Sequence, residues 1–447
     1  CNHGPKAVLF YPAALGWNID FMIHCQQNVF WERTDLMTLR DTADQIIRAS
    51  LRAVQPDAAV ARALQSFSCS GRVVLIAIGK AAWAMANAAW AVLGPRITSG
   101  AVITKYDHSR GPIGPLRIFE AGHPVPDEAG LRAAQAALEL TRGLQEEDCV
   151  LFLISGGGSA LFESPLVPLA ELEDITGQLL ACGADIVEIN TIRKRLSAVK
   201  GGRFALHCRP ASVFSVVLSD IIGDPLDMIA SGPAAPDSST CAEALAIAQK
   251  YGLRLSDGAL ACLQTETPKT LPNAVSRVTG SVRALCDAAE QAAQALGYRC
   301  IRLTDCLNCE AREAGRFLAA VARTHASPSE PLAFLAGGET VVHLTGAGRG
   351  GRNQELALAA AEGLTGLTEA AVFSFGSDGS DGPTDAAGGF VDQDSFAALR
   401  AAGLDPADVL RRNDAYPALE RIGGLIRTGP TGTNVNDLAM LLLPRRN

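Results

Sequence analysis

Two spacings of apolar residues run along this chain, and the switches between them mark its elements. Ala43, Ile46, Ile47, Leu51 and Val54 recur at three- and four-residue intervals, which predicts an amphipathic helix. Short, mainly apolar runs follow at residues 73–78, 101–104, 117–120, 149–154 and 213–218, with helical patterns at 81–93 and 128–144 among them. Short apolar strands between helices predict a mostly parallel sheet covered on both faces. This is the pattern of a doubly wound α/β domain, over residues 37–270.

Residues 265–273 are poor in large apolar side chains and carry Pro268 and Pro272, so the domain boundary is expected there. Beyond it, helical patterns at 281–296, 310–324 and 354–362 alternate with strand patterns at 300–303, 332–335, 341–344 and 371–375. Residues 437–443 read as a last apolar strand or helix. A second mixed α/β domain is therefore predicted over 271–447. The short connection at 336–340 makes residues 332–344 look like an antiparallel hairpin.

Composition adds little to this picture but excludes several classes. The chain has 447 residues, 48% of them hydrophobic and 19% charged, with a net charge of -8. That balance argues against a nucleic-acid surface and is ordinary for a cytoplasmic enzyme. No apolar run reaches the ~18 residues of a membrane span. The 12 cysteines lie singly, apart from a lone C-x-x-C at Cys306 and Cys309 with no further metal ligands at matching spacing, and they read as reduced thiols. Residues 1–36 lack periodicity and read as a non-native or disordered extension ahead of Met37, outside the fold.

The chemistry gathers where strands end. Five predicted strands run into Gly79-Lys80, Ser155–Ser159, Ser219-Asp220, Gly337-Gly338-Glu339 and Gly376-Ser377-Asp378. In open α/β sheets ligands bind at the carboxyl ends of strands, so a cleft between the two domains is the expected site. The loop Gly346-Ala347-Gly348-Arg349-Gly350-Gly351-Arg352 offers flexible N–H groups and two arginines, which suits a polyphosphate. Nearby, Gly376-Ser377-Asp378-Gly379-Ser380-Asp381 offers carboxylates for magnesium, with Asp378 and Asp381 as the ligands. Together they point to phosphoryl transfer from a nucleotide.

The remaining motifs refine this. Gly156, Gly157, Gly158 and Ser159, after Ser155, read as a phosphate cradle rather than a plain turn. Lys80 starts a helix after a strand, where it meets an anion, although the surrounding residues are not a Walker A loop. Asp220 stands at a strand end as a metal ligand or proton acceptor. Arg193, Lys194, Arg195, Lys200 and Arg203 form a local positive patch, equally readable as a solvated helix face or an anchor for a small carboxylate. Gly346, Gly348 and Gly351 satisfy G-x-G-x-x-G, but the predicted hairpin before them argues against a dinucleotide turn. His123 reads as a hydrogen-bonded turn residue.

In this order the motifs resemble the glycerate 2-kinase family, the class II glycerate kinases, whose C-terminal part is the MOFRL domain. The matching stretches include Gly79–Ala82, Gly122–Asp127, Ile154–Ala160, Asn190–Gly202, Leu218–Asp224, Gly337–Thr340, Gly348–Glu355, Ser377–Gly388 and Thr431–Leu438. They span about residues 37–443 and leave out 1–36. The resemblance implies a Rossmann-like domain plus a second α/β domain with the site in the cleft. It also implies ATP-dependent, magnesium-supported phosphorylation of D-glycerate at its 2-hydroxyl.

Carried over, Lys80, Asp220 and Arg352 are the expected catalytic groups; the local chemistry of the chain adds Ser155, Arg193 and Arg195 as the expected substrate contacts. Gly156–Ser159, Gly348, Arg349, Gly350 and Gly351 are the expected ATP contacts. Cys309 departs from the glycine expected in a Glu-Gly-Glu-Ala-like stretch, away from these loops. The partners are glycerate and a nucleotide, without nucleic acid or membrane, and a homodimer is left open. The competing readings are an NAD(P)H-dependent hydroxypyruvate reductase and a sensor without turnover.

Overall fold

A computed structural model describes residues 37–445; the extension read at 1–36 lies outside the described residues. Two six-stranded sheets organise the chain. The first contains β1 (Val73–Ile78), β2 (Ile97–Lys105), β3 (Arg117–Ala121), β4 (Cys149–Ile154), β5 (Ser212–Leu218) and β6 (Ala274–Gly280). All its strands are parallel, in the order β3-β2-β1-β4-β5-β6. That is the doubly wound order, and its direction reverses between β1 and β4. Every residue of β1 and β4 is buried, as unbroken apolar runs require of central strands. Phe152, Phe162 and Phe204 pack together on one face, with centroids 4.8–6.0 Å apart.

The second sheet contains β7 (Arg299–Leu307), β8 (Leu332–Gly338), β9 (Ala371–Gly376), β10 (Gly388–Asp392), β11 (Leu425–Ile426) and β12 (Asp437–Leu443), in the order β11-β10-β9-β12-β8-β7. Only β7 and β8 pair in parallel. Six helices matter for the site and its surroundings: α1 (Leu39–Ala53), α2 (Ala82–Leu93), α3 (Ile186–Arg195), α4 (Val282–Ala295), α5 (Ala311–Thr324) and α6 (Arg352–Leu364). On one side of the second sheet α5 and α6 share a core with Leu441, Val372 and Phe334.

Three expectations are corrected. The first sheet does not end at residue 270, because β6 extends its edge to Gly280. Its residues alternate between half-buried and exposed at the start, so it carries no apolar run to announce it. Nor does α1 belong with the first sheet. Its Ala43, Ile46, Ile47 and Leu51 pack with Leu285 and Ala289 of α4, and with Phe373 and Met440 of the second sheet. An apolar stripe shows that a helix packs, not which sheet receives it. Finally, residues 341–344 form no hairpin with β8. β12, arriving from the end of the chain, takes the position beside β8, and Val341 makes only a single bridge to Glu310. Leu344 is left 81% exposed.

Candidate active site

The crevice at the reversal point of the first sheet is built by the loops after β1 and β4. Gly79 has a left-handed φ of 109°, and a side chain there would collide with Ser155. The two loops are laced together. The Lys80 N–H donates to the Gly156 carbonyl at 2.9 Å, and the Ala81 N–H donates to Ser155 Oγ at 3.0 Å. Ser155 Oγ in turn donates to the Ile78 carbonyl at 3.2 Å. The hydroxyl expected to touch substrate is thus a buried latch between two strand ends. Ser159 is similarly engaged, with its Oγ 3.0 Å from that of Ser231.

Behind this latch, Lys80 stands exposed at the head of α2, with Asp220 half-buried opposite it. A Cβ on Gly156 would lie 2.3 Å from Asp220 Oδ2, and one on Gly157 would lie 3.0 Å from the His123 ring and 3.3 Å from Lys80 Cγ. The glycines therefore let Asp220, His123 and Lys80 crowd against one loop. Burial raises the Asp220 carboxyl above its ordinary range and Glu339 pushes the same way, while Lys80 opposes them. Burial and the charge of Lys80 lower the His123 pKa. His123 makes no hydrogen bond among the described residues, so its reading as a hydrogen-bonded turn residue is corrected; packing alone places it.

Lys80, Ser155, Gly156 and Asp220 line a cleft of about 410 Å³ whose far wall is Asp378, Gly432 and Asn434 of the second sheet. Trp83, His108 and Arg110 complete it. A second cleft, of about 810 Å³, is lined by the Gly346–Gly351 loop, Arg352, Glu339, Val342, Leu344, Pro383 and Ile222. Both volumes are in the usual range for small-molecule sites. The clefts meet at one bridge. The Asn436 side-chain amide donates to the Asp220 carbonyl at 3.2 Å and to Glu339 Oε2 at 3.1 Å. Beyond it, Arg352 pairs with Glu339 at 2.9 Å and donates to Asp437 Oδ1 at 3.0 Å. Lys80 and Arg352 thus stand on either side of the bridge, each in its own cleft.

The glycine loop is held from outside. Asn413 Oδ1 accepts from the N–H groups of Thr345 and Gly346, and the Gly348 N–H donates to the Arg412 carbonyl. Arg349 stacks over Tyr416, 4.2 Å from its centroid. The glycine loop is therefore not a loose cradle.

Two expected roles do not survive this geometry. Asp381 is 3% exposed and caps α6, accepting from the N–H groups of Asn353 and Gln354 at 3.1 and 2.9 Å. Burial pushes its carboxyl up to about 6. Its oxygens are committed to the helix, so it is no magnesium ligand; Asp378, tied only through Oδ1 to the Ser380 N–H among the described residues, remains open to the cleft. Among the described residues no preformed cluster of three metal-ligating side chains exists. A magnesium ion brought by a nucleotide needs only one or two carboxylates, and Asp378 is open to supply one.

The cationic patch is the second correction. Arg195 is fully buried against Asp237 at 3.6 Å, and also donates to the Ser239 carbonyl at 2.9 Å. Lys194 bridges Asp227 and Asp237 at 3.1 and 3.0 Å. Arg193 and Lys200 both donate to the Ser159 carbonyl and flank the buried Glu163. The charges at the end of α3 are neutralised internally by acids from distant parts of the chain. Arg110, on the loop after β2, is instead the arginine facing the Lys80 cleft. Sequence reasoning missed it because it stands alone, whereas Asn436 and Glu339 lay within stretches already carrying the resemblance.

Known proteins match the chain over most of its length. Residues 42–264 match a domain of unknown function, DUF4147, and residues 332–437 match the MOFRL family. The chain is 51% identical to a D-glycerate 2-kinase of Thermotoga maritima, over 92% of this chain and 99% of that protein. It is 37% identical to a glycerate 2-kinase of Pyrococcus horikoshii, over 91% of this chain and 98% of the other. The crystal structure of the Thermotoga maritima glycerate kinase superposes with a TM-score of 0.87, at 50% identity, covering 91% of this chain and 99% of that one. The chain belongs to the glycerate 2-kinase family.

Proposed function

We propose that this protein transfers the γ-phosphoryl group of ATP to the 2-hydroxyl of D-glycerate, giving 2-phosphoglycerate and ADP, in the cytoplasm. The observation that carries the reading is the pairing of two clefts across the Asn436 bridge, with Lys80 on one side and Arg352 on the other. The larger cleft, with apolar Ile222, Val342 and Leu344 beside a glycine loop and Arg352, suits a nucleotide. The smaller one, where Lys80, His108, Arg110 and Asp220 converge, suits a three-carbon acid, whose carboxylate meets Arg110.

Asp220 then accepts the proton of the attacking hydroxyl, helped by a carboxyl pKa raised toward the working range. Lys80 and Arg352 stabilise charge on the transferring group from opposite sides. Asp378 would hold a magnesium ion, which would neutralise phosphate charge when bound. The glycine loop and its Asn413 brace keep the nucleotide cleft in shape. Coupled assays with D-glycerate and ATP, beside hydroxypyruvate and NADH, test the reading, and phosphorus NMR identifies the product. ADP release with 2-phosphoglycerate is expected; NADH oxidation without ADP release overturns the kinase reading.

A further inference from the structure

Behind the wall that carries Asp378 lies a third groove, of about 500 Å³, between α1 and the chain leaving β11. Its lining includes Arg40, Arg48, Arg52, Arg427, Thr428 and Thr431, against a single acid, Asp44. Arg40 pairs with Asp44 at 3.1 Å, and Arg427 with Asp385 and Glu420 at 3.3 and 2.8 Å. The side chains of Arg48 and Arg52 are exposed and make no ion pair or hydrogen bond among the described residues, although Arg48 is near enough to lower the pKa of Asp41. They stand one turn apart on α1, where two like charges repel. With Arg40 and Arg427 neutralised by Asp44, Asp385 and Glu420, Arg48 and Arg52 are the groove's two cations without an ion pair among the described residues.

The groove connects to the reaction clefts through three hydrogen bonds. Thr431 Oγ1 donates to the Ser377 carbonyl at 2.6 Å, and the Thr431 N–H donates to the Asp378 carbonyl at 3.2 Å. Thr433 Oγ1 donates at 3.0 Å to the carbonyl of Val54, which caps α1. Gly432, Thr433 and Asn434 line the Lys80 cleft from the same stretch of chain. One segment, 431–434, therefore has one side against the arginine-bearing helix and the other against the groups proposed to hold substrate.

We propose that this groove is a regulatory site for a small phosphate-bearing anion, read by Arg48 and Arg52 and transmitted through Thr431 and Thr433 to the Asp378 loop. Guanidinium groups grip phosphate through paired N–H donors, and a phosphate monoester carries about two charges at neutral pH, matching the two arginines. An anion drawn between α1 and residues 427–431 changes how tightly that segment presses on the Asp378 turn. This goes beyond the kinase reading, since nothing in it requires a third site.

The test uses the full chain with inorganic phosphate as the probe. Binding is read by calorimetry at constant ionic strength set with potassium chloride, with ADP and glycerate present to fill the reaction clefts. The expected result is one phosphate site in the wild type, lost in the Arg48→Ala/Arg52→Ala double variant. In kinetics, phosphate is expected to shift kcat or the KM for glycerate by about fivefold in the wild type. The double variant should keep the basal rate and lose the response. Phosphate binding that is absent, or equal in both proteins, overturns the site. Binding lost in the variant without any wild-type kinetic response overturns the regulation. The calorimetric result does not depend on the reaction, so failure of the kinase reading is seen separately in the assay without phosphate.

Discussion

Asn436 reaches from the head of β12 to the main-chain carbonyl of Asp220, at the end of β5, with a 3.2 Å hydrogen bond between the two sheets. The same amide holds Glu339, the partner of Arg352. Asn436 has φ 66°, a backbone conformation that asparagine and glycine tolerate best. Asn436→Gly therefore keeps the backbone and removes the bridge, leaving the Asp220 carbonyl unpaired at a cost of about 1–3 kcal/mol. The expected outcome in steady-state kinetics is a kcat lowered about tenfold or more, with the KM for each substrate changed much less.

Lys80→Ala and Arg352→Ala each remove one charge from the transferring group. Loss of a contact made mainly in the transition state costs about 10²–10³ in kcat. Glycerate binding, measured by calorimetry, should weaken far less, and circular dichroism should show both variants folded. Near-wild-type turnover in either variant would remove that residue from the phosphoryl clamp.

The pH profile should report Asp220. Its carboxyl works ionised as a base, so activity is lost as pH falls through a pKa held above the ordinary carboxylate range by burial and by Glu339. Glu339→Gln removes one of the two raising influences. The acid limb of log kcat/KM should accordingly move to lower pH in that variant. A limb that stays where it is assigns the titration to another group.

Arg195→Ala should act on stability and not on substrate. The side chain is fully buried; removing it takes away its hydrogen bond to the Ser239 carbonyl and one of the two cations on Asp237, while Lys194 stays paired with that acid, so the cost is about 1.5–3 kcal/mol. Urea denaturation should show the loss, while the KM for glycerate in the folded fraction stays within about twofold. Arg110→Ala is expected to do the reverse, raising the glycerate KM by about tenfold, the order of one charged hydrogen bond, with the unfolding midpoint unchanged.

Gly156→Ala probes the close approach of loop and acid. The added methyl would fall 2.3 Å from Asp220 Oδ2, so the carboxylate must move. Turnover should drop by at least tenfold with little change in thermal midpoint. Unaltered kcat would show that the Asp220 position is not critical.

Much of this protein was legible along the chain. The unbroken apolar runs that became β1 and β4 dictate central parallel strands, because only strands covered on both faces keep every position apolar. The glycine loops and the acids at strand ends followed from the same reading, since the carboxyl edge of such a sheet is where loops converge. The pairing of distant charges is a different matter. Arg195 and Arg110 are alike as residue types, and only the fold brings Asp237, from 42 positions away in sequence, against one and leaves the other facing a cleft. Asp378 and Asp381 are three residues apart, yet the N-terminus of α6 claims the second and not the first. Local pattern determines which segments become strands and helices, because burial and backbone sterics act over a few residues. Which charge is satisfied internally and which is left for a ligand depends on contacts between segments far apart in sequence, and tertiary structure alone decides it.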